Sequence, residues 1–173
     1  MCIRDRNIYA NALLWTVKNV CPQLREGITE VNVPAKNFSC DLILASQADS
    51  NQKNTYYCKA LFQVKDGKLV YYLSNIRIES SAVIMKKITP MEKLQPDKKA
   101  SHKEIMDDFV QVESQVLNKM FDFIVTNQLS PITHWNEISI NKPVKGMTED
   151  ECLLAFGKPQ TIQESNGEVQ WMY

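Results

Sequence analysis

Side chains able to do chemistry are few here: two histidines, five cysteines and twenty carboxylates. His102, Glu104, Asp107 and Asp108 fall within two helical turns. They could form an acid–base set, because such work needs a donor and an acceptor within hydrogen-bond reach. Carboxylates also suit a helix start on electrostatic grounds alone, and that solvated role is the expectation for these four. A Cys58–His102 dyad can be drawn, since nucleophile and base meet in space rather than in sequence. Nothing in the sequence prefers Cys58 to Cys40. The cysteines, Cys2, Cys21, Cys40, Cys58 and Cys152, contain no C-x-x-C pair, and His102 and His134 are far apart, so ordinary zinc spacing is absent. No G-x-G-x-x-G, Walker loop, G-x-S-x-G or H-E-x-x-H occurs. No catalytic residue, cofactor site or metal site is expected. Cys40 and Cys58 read as small buried apolar residues within strand-like runs, and the pairing of Cys21, Cys40, Cys58 and Cys152 stays open. Aromatic stacking is the remaining chemistry. Trp15 reads as core and Trp171 as strand packing, whereas Trp135, beside His134 in a connector, reads as the exposed ring.

The elements that would position these groups follow from periodicity. The chain has 173 residues, 44% of them hydrophobic, which is globular composition. Twenty basic and twenty acidic residues cancel, which argues against a general nucleic-acid binder. No run of about 18 apolar residues occurs, so no membrane-spanning helix is expected. Asn7 to Val20 reads as a helix with Asn7 as N-cap, and Pro22 ends it. Ile28–Val33 and Phe38–Ala45 read as strands, and residues 48–54 as a polar loop. Two β-rich runs flank Asp66-Gly67, a type I′ dipeptide. That turn sets Val64 opposite Leu69, Phe62 opposite Tyr71 and Ala60 opposite Leu73 on an apolar face. Ser101 and Glu104 read as a capping box opening a helix to about Gln128. Its core stripe is Ile105, Phe109, Val112, Val116, Met120, Phe123 and Ile124. Ser130–Lys142 reads as a connector. Thr148 and Glu151 form a second capping box, Gly157 is placed to adopt the left-handed conformation just past the helix, and Asn166-Gly167 turns into a final strand.

Two stretches carry resemblances. Ile8-Tyr9, Trp15, Val64-Lys65-Asp66-Gly67-Lys68, Tyr71 and Asn75-Ile76 make residues 7–129 resemble the TBP-like-fold domain of Bacteroidetes cell-envelope proteins. Its usual first strand is not seen before Asn7, and segment 28–45 departs from the family pattern. Gly146-Met147-Thr148, Leu154, Phe156-Gly157-Lys158-Pro159, Trp171 and Tyr173 make residues 130–173 resemble the start of a BamE/SmpA-type domain, in which two further strands would follow. Met1-Cys2-Ile3-Arg4-Asp5-Arg6 resembles a translated sequencing adapter and reads as a non-native extension.

The expected fold is α+β: a curved antiparallel sheet packed by two helices, with a partial second α+β module. Residues 130–173 are expected to be poorly packed or to lean on the first domain, because so few residues bury little surface. The resemblances imply a non-enzymatic, periplasmic or outer-membrane-associated protein that binds or scaffolds an envelope protein partner. They imply no nucleic acid, and membrane attachment only through an anchor upstream. The alternative is a small-molecule or lipid carrier with a pocket between sheet and long helix, lined by Phe109, Phe123 and Tyr71.

Overall fold

Apolar and polar residues alternate along residues 37–80. In the computed structural model this pattern forms the three central strands of a five-stranded antiparallel sheet whose strands lie side by side in chain order. The structure describes residues 3–20, 27–46, 54–80, 88–95, 97, 99–165 and 168–173. Cys2, Cys21, Pro22, most of the 48–54 loop and the Asn166-Gly167 turn lie outside them. The strands are β1 (Ile28–Asn32), β2 (Asn37–Ala45), β3 (Asn54–Lys65), β4 (Lys68–Ser80) and β5 (Thr89–Pro90). The expected hairpin register is present, with Val64 facing Leu69, Phe62 facing Tyr71 and Ala60 facing Leu73. Asp66 and Gly67 carry φ of 52° and 72°, the positive pair a type I′ turn requires.

One irregularity keeps β4 amphipathic. Tyr57 pairs with Arg77 and Lys59 with Ser74, so Asn75 and Ile76 together oppose Cys58. Asn75 has φ 53° and is the extra residue of a β-bulge. Leu69, Tyr71 and Leu73 point to the core at odd positions, and the bulge lets Ile76 and Ile78 do so at even ones. The opposite face of the sheet exposes Ile43, Leu61, Val70 and Tyr72.

Helix α1 spans Ile3–Asn19 and α2 spans Ala100–Thr126, with a 3-10 turn at Met91–Lys93 between β5 and α2. Both helices pack on the inward face of the sheet. The expected α2 stripe faces the core, with Phe109, Val112 and Met120 buried and Ile105, Val116, Phe123 and Ile124 packed beside them, and Leu117, outside the expected stripe, is buried as well. Every residue of α1 from Tyr9 to Val17 is buried. Two local expectations fail. Asn7 is not the N-cap, because α1 begins at Ile3. Asp5 accepts hydrogen bonds from Lys36 Nζ at 2.6 Å and the Gly67 N–H at 2.8 Å, joining the helix start to the hairpin turn. The Ser101 capping box does not form. Lys99 occupies the N-cap without a side-chain bond, and the neighbouring His102 Nδ1 accepts from the Gln95 N–H at 2.9 Å.

Residues 130–173 lean on α1. The expected connector contains a short helix, α3 (Trp135–Ser139), followed by α4 (Glu149–Phe156) and a two-stranded sheet, β6 (Thr161–Ser165) with β7 (Glu168–Met172). Strand β6 was not anticipated. Ile138, Leu154 and Ala155 join the core that holds Leu13 and Val17, and Lys18 pairs with Asp150 at 3.1 Å. Among the described residues, no helix is long and apolar enough to cross a membrane.

Asn75→Val should cost about 1–2 kcal/mol although the position is exposed, because a β-branched side chain is strained at positive φ. Asn75→Gly should be close to neutral. Urea unfolding of the two variants checks this, and equal stability would refute the role given to the bulge.

Candidate functional site

The side chains whose types could do chemistry are dispersed. Asp108 accepts hydrogen bonds from Ser46 Oγ (2.9 Å), Asn54 Nδ2 (2.9 Å) and Tyr56 OH (2.6 Å). Burial alone would raise its pKa, but these three donors outweigh burial and hold the carboxyl below its ordinary value. Asp108 therefore ties the ends of β2 and β3 to α2. Glu104 and Asp107 are exposed on α2. Cys58 lies on the inward face of β3, where burial and then the charges of Glu113 and Asp41 push its thiol up to about 11. A thiol this high is a poor nucleophile at neutral pH. Glu113, which acts on Cys58, lies eleven residues along α2 from His102, or roughly 16 Å at the rise of a helix.

The expected ligand-contact aromatics are occupied by packing. Tyr71 OH donates to Glu113 Oε1 at 3.0 Å. Phe109 is buried edge-on against Tyr56, with ring centroids 5.2 Å apart. Phe123 is half-buried on the core stripe. Trp135 is not the exposed ring anticipated. It opens α3 and packs against Tyr9 at 5.8 Å, and the two border a depression of about 210 Å³ with Val33, Pro34 and Lys36.

A larger site lies elsewhere. Pro143, Met147, Glu149, Cys152, Phe156, Val169, Trp171 and Tyr173 line an open cleft of about 540 Å³ between α4 and β7. Val169, Trp171 and Tyr173 share one strand face because side chains alternate with period two. Ile162 pairs with Trp171 and Glu164 with Val169, so both belong to that same face. The Phe156 and Tyr173 rings are 5.3 Å apart at 59°, and Trp171 and Tyr173 are 6.4 Å apart at 60°. The rings form adjoining walls, not a flat stack. Burial raises the Tyr173 hydroxyl to about 12, so it stays protonated. Comparison with protein-family models, curated proteins and solved structures finds no match to this chain. A second depression of about 470 Å³ lies on the open side of the main sheet, among Asp41, Ile43, Tyr57, Lys59 and Arg77.

The wall formed by α4 is held in place by Glu151. The expected capping box is present: Thr148 Oγ1 accepts from the Glu151 N–H at 3.2 Å, and Glu151 Oε2 accepts from the Thr148 N–H at 2.9 Å. Gly157 ends the helix at φ 85°, ψ −162°. The expected left-handed conformation is not adopted: φ is positive, but the pair lies in a region only glycine visits freely, outside the left-handed helical well. Fully buried, Glu151 also accepts from the Thr133 and His134 N–H groups at 2.6 and 3.0 Å and lies 3.0 Å from His134 Nδ1. One carboxylate thus fastens the start of α3 to the start of α4. Burial would raise its pKa; the Thr148 N–H, the His134 ring and the Thr133 and His134 N–H groups outweigh this and hold it at about 2.

Glu151 has a folded pKa below its unfolded one, so its contribution is complete above the unfolded value and is lost as pH falls through the folded one. A drop from 4.5 to about 2 corresponds to about 3 kcal/mol. Glu151→Gln should lose about 2–3 kcal/mol at pH 7 and flatten the decline in stability between pH 4.5 and 2. Urea unfolding across that range checks it, and an unaltered acid limb in the variant would be the contrary result.

Proposed function

We propose that this chain is a non-enzymatic binding protein of the cell envelope, and that the cleft between α4 and β7 receives a segment of a partner protein. The observation that carries this reading is the uncovered apolar face of the β6–β7 sheet. Ile162 is 55% exposed and Val169 51% exposed, although the main core is closely covered. An isolated two-stranded sheet is marginal in water, and an exposed apolar surface of this kind is the usual mark of an interaction site. The charge balance of the chain supports a protein partner over nucleic acid. The envelope location and the binding role rest on the two sequence resemblances.

A photo-crosslinking residue placed at Val169 should join the protein to a defined envelope partner. That partner, once purified, should bind Val169→Lys at least ten-fold more weakly than the wild type and bind Ile43→Lys unchanged. Adducts arising from position 43 and not from position 169 would move the site to the open face of the main sheet and end this reading.

A further inference from the structure

We propose that the partner segment presents a cationic side chain, Lys or Arg, to the aromatic walls of the cleft. This rests on the reading that a partner segment occupies the cleft and adds the chemistry that segment must carry. Three rings line the cleft, and Tyr173 stands at about 60° to both Phe156 and Trp171. The face of an aromatic ring is electron-rich and attracts a cation lying within about 6 Å of its centroid. Glu149 lines the same cleft, and Glu164 lies on the same strand face. The lysine ion pairs among the described residues are Lys18–Asp150 and Lys36–Asp5, and among those residues neither Glu149 nor Glu164 has a cationic partner.

The charge of the whole segment points the same way. Residues 130–173 carry six carboxylates and three lysines in a chain that is neutral overall. The three lysines, Lys142, Lys145 and Lys158, do not line the cleft. An anionic ligand would meet carboxylates, and a purely apolar one would bury Glu149 without a counter-charge, which is costly. A guanidinium or ammonium on an aliphatic stem satisfies both the rings and the carboxylate. An extended backbone suits the site as well. Among the described residues β6 and β7 pair only with each other, so each has an outer edge that can accept a further strand through main-chain hydrogen bonds. Alternate side chains of such a strand would face the cleft.

The test uses the full chain and two acetylated, amidated pentapeptides. One is Val-Thr-Arg-Thr-Val, and the other replaces Arg with citrulline, its neutral isostere. Titration is followed by the NMR signal of the Trp171 indole N–H. The Arg peptide should shift that signal and bind at least ten-fold more tightly than the citrulline peptide. Glu149→Gln, an exposed and conservative change, should weaken the Arg peptide about five-fold and leave the citrulline peptide unaffected. Equal affinity for the two peptides overturns the charge requirement and leaves the partner-segment reading standing. No shift with either peptide overturns both, as does a shift that tracks protein concentration because a second copy fills the cleft.

Discussion

Helix α1 has no solvent-facing side between Tyr9 and Val17, and the rest of the structure is arranged around that constraint. A helix buried all round must be covered on every side. The curved sheet covers one side, α2 another, and α4 a third. Fully burying a Leu or Val contributes about 1.5–3 kcal/mol, so Leu13, Leu14 and Val17 together contribute roughly 5–9 kcal/mol that is realised only with these covers in place. The polar members of this stretch are not left unpaired. Thr16 Oγ1 donates to the Ala12 carbonyl at 2.9 Å, and Asn11 exchanges bonds with Asn127 at the end of α2. Because α1 needs α4 as cover, the C-terminal segment is attached to the main sheet through a shared core.

What could be read from the sequence was local. The Asp66-Gly67 hairpin, the α2 stripe and the Thr148–Glu151 box each depend on residues a few positions apart, and all three stand. Ser101 and Glu104 satisfy the same local rule and fail, because the helix already begins at Ala100 with Lys99 at the N-cap, which leaves Ser101 inside the first turn. The place of Trp135 escapes any local pattern because its partial burial depends on Tyr9, more than a hundred residues away. The bulge at Asn75 left a trace in the shift of apolar residues from odd to even positions, but simple alternation does not show which residue absorbs the shift. Of the candidate cleft, Trp171 and Tyr173 were visible as a W-x-Y alternation. The wall opposite them comes from α4 and from long-range packing that no local pattern specifies.

The two ends of the molecule differ in how their sheets are finished. The five-stranded sheet has one face filled by helices and aromatic side chains, including the Phe38–Phe62 stack at 5.0 Å. The two-stranded sheet has an apolar face and only a partial lid. The carboxylate of Glu151 fastens the start of that lid, α4, to the start of α3. A wall fixed in this way is preorganised, which lowers the ordering cost of a ligand that meets it.

Asp108 has a different consequence for the main sheet. It holds Ser46 and Asn54 side by side, and the Ser46 N–H also donates to the Asn54 carbonyl at 2.9 Å. The registers of β2 and β3 are therefore sealed at this end whatever links the two strands. Each doubling of a loop's length adds only about 0.6 kcal/mol of closure entropy. The stretch between Ser46 and Asn54 is thus the place where this fold can accept inserted sequence, whether by drift over generations or by a deliberately grafted tag, with the strand pairing left intact.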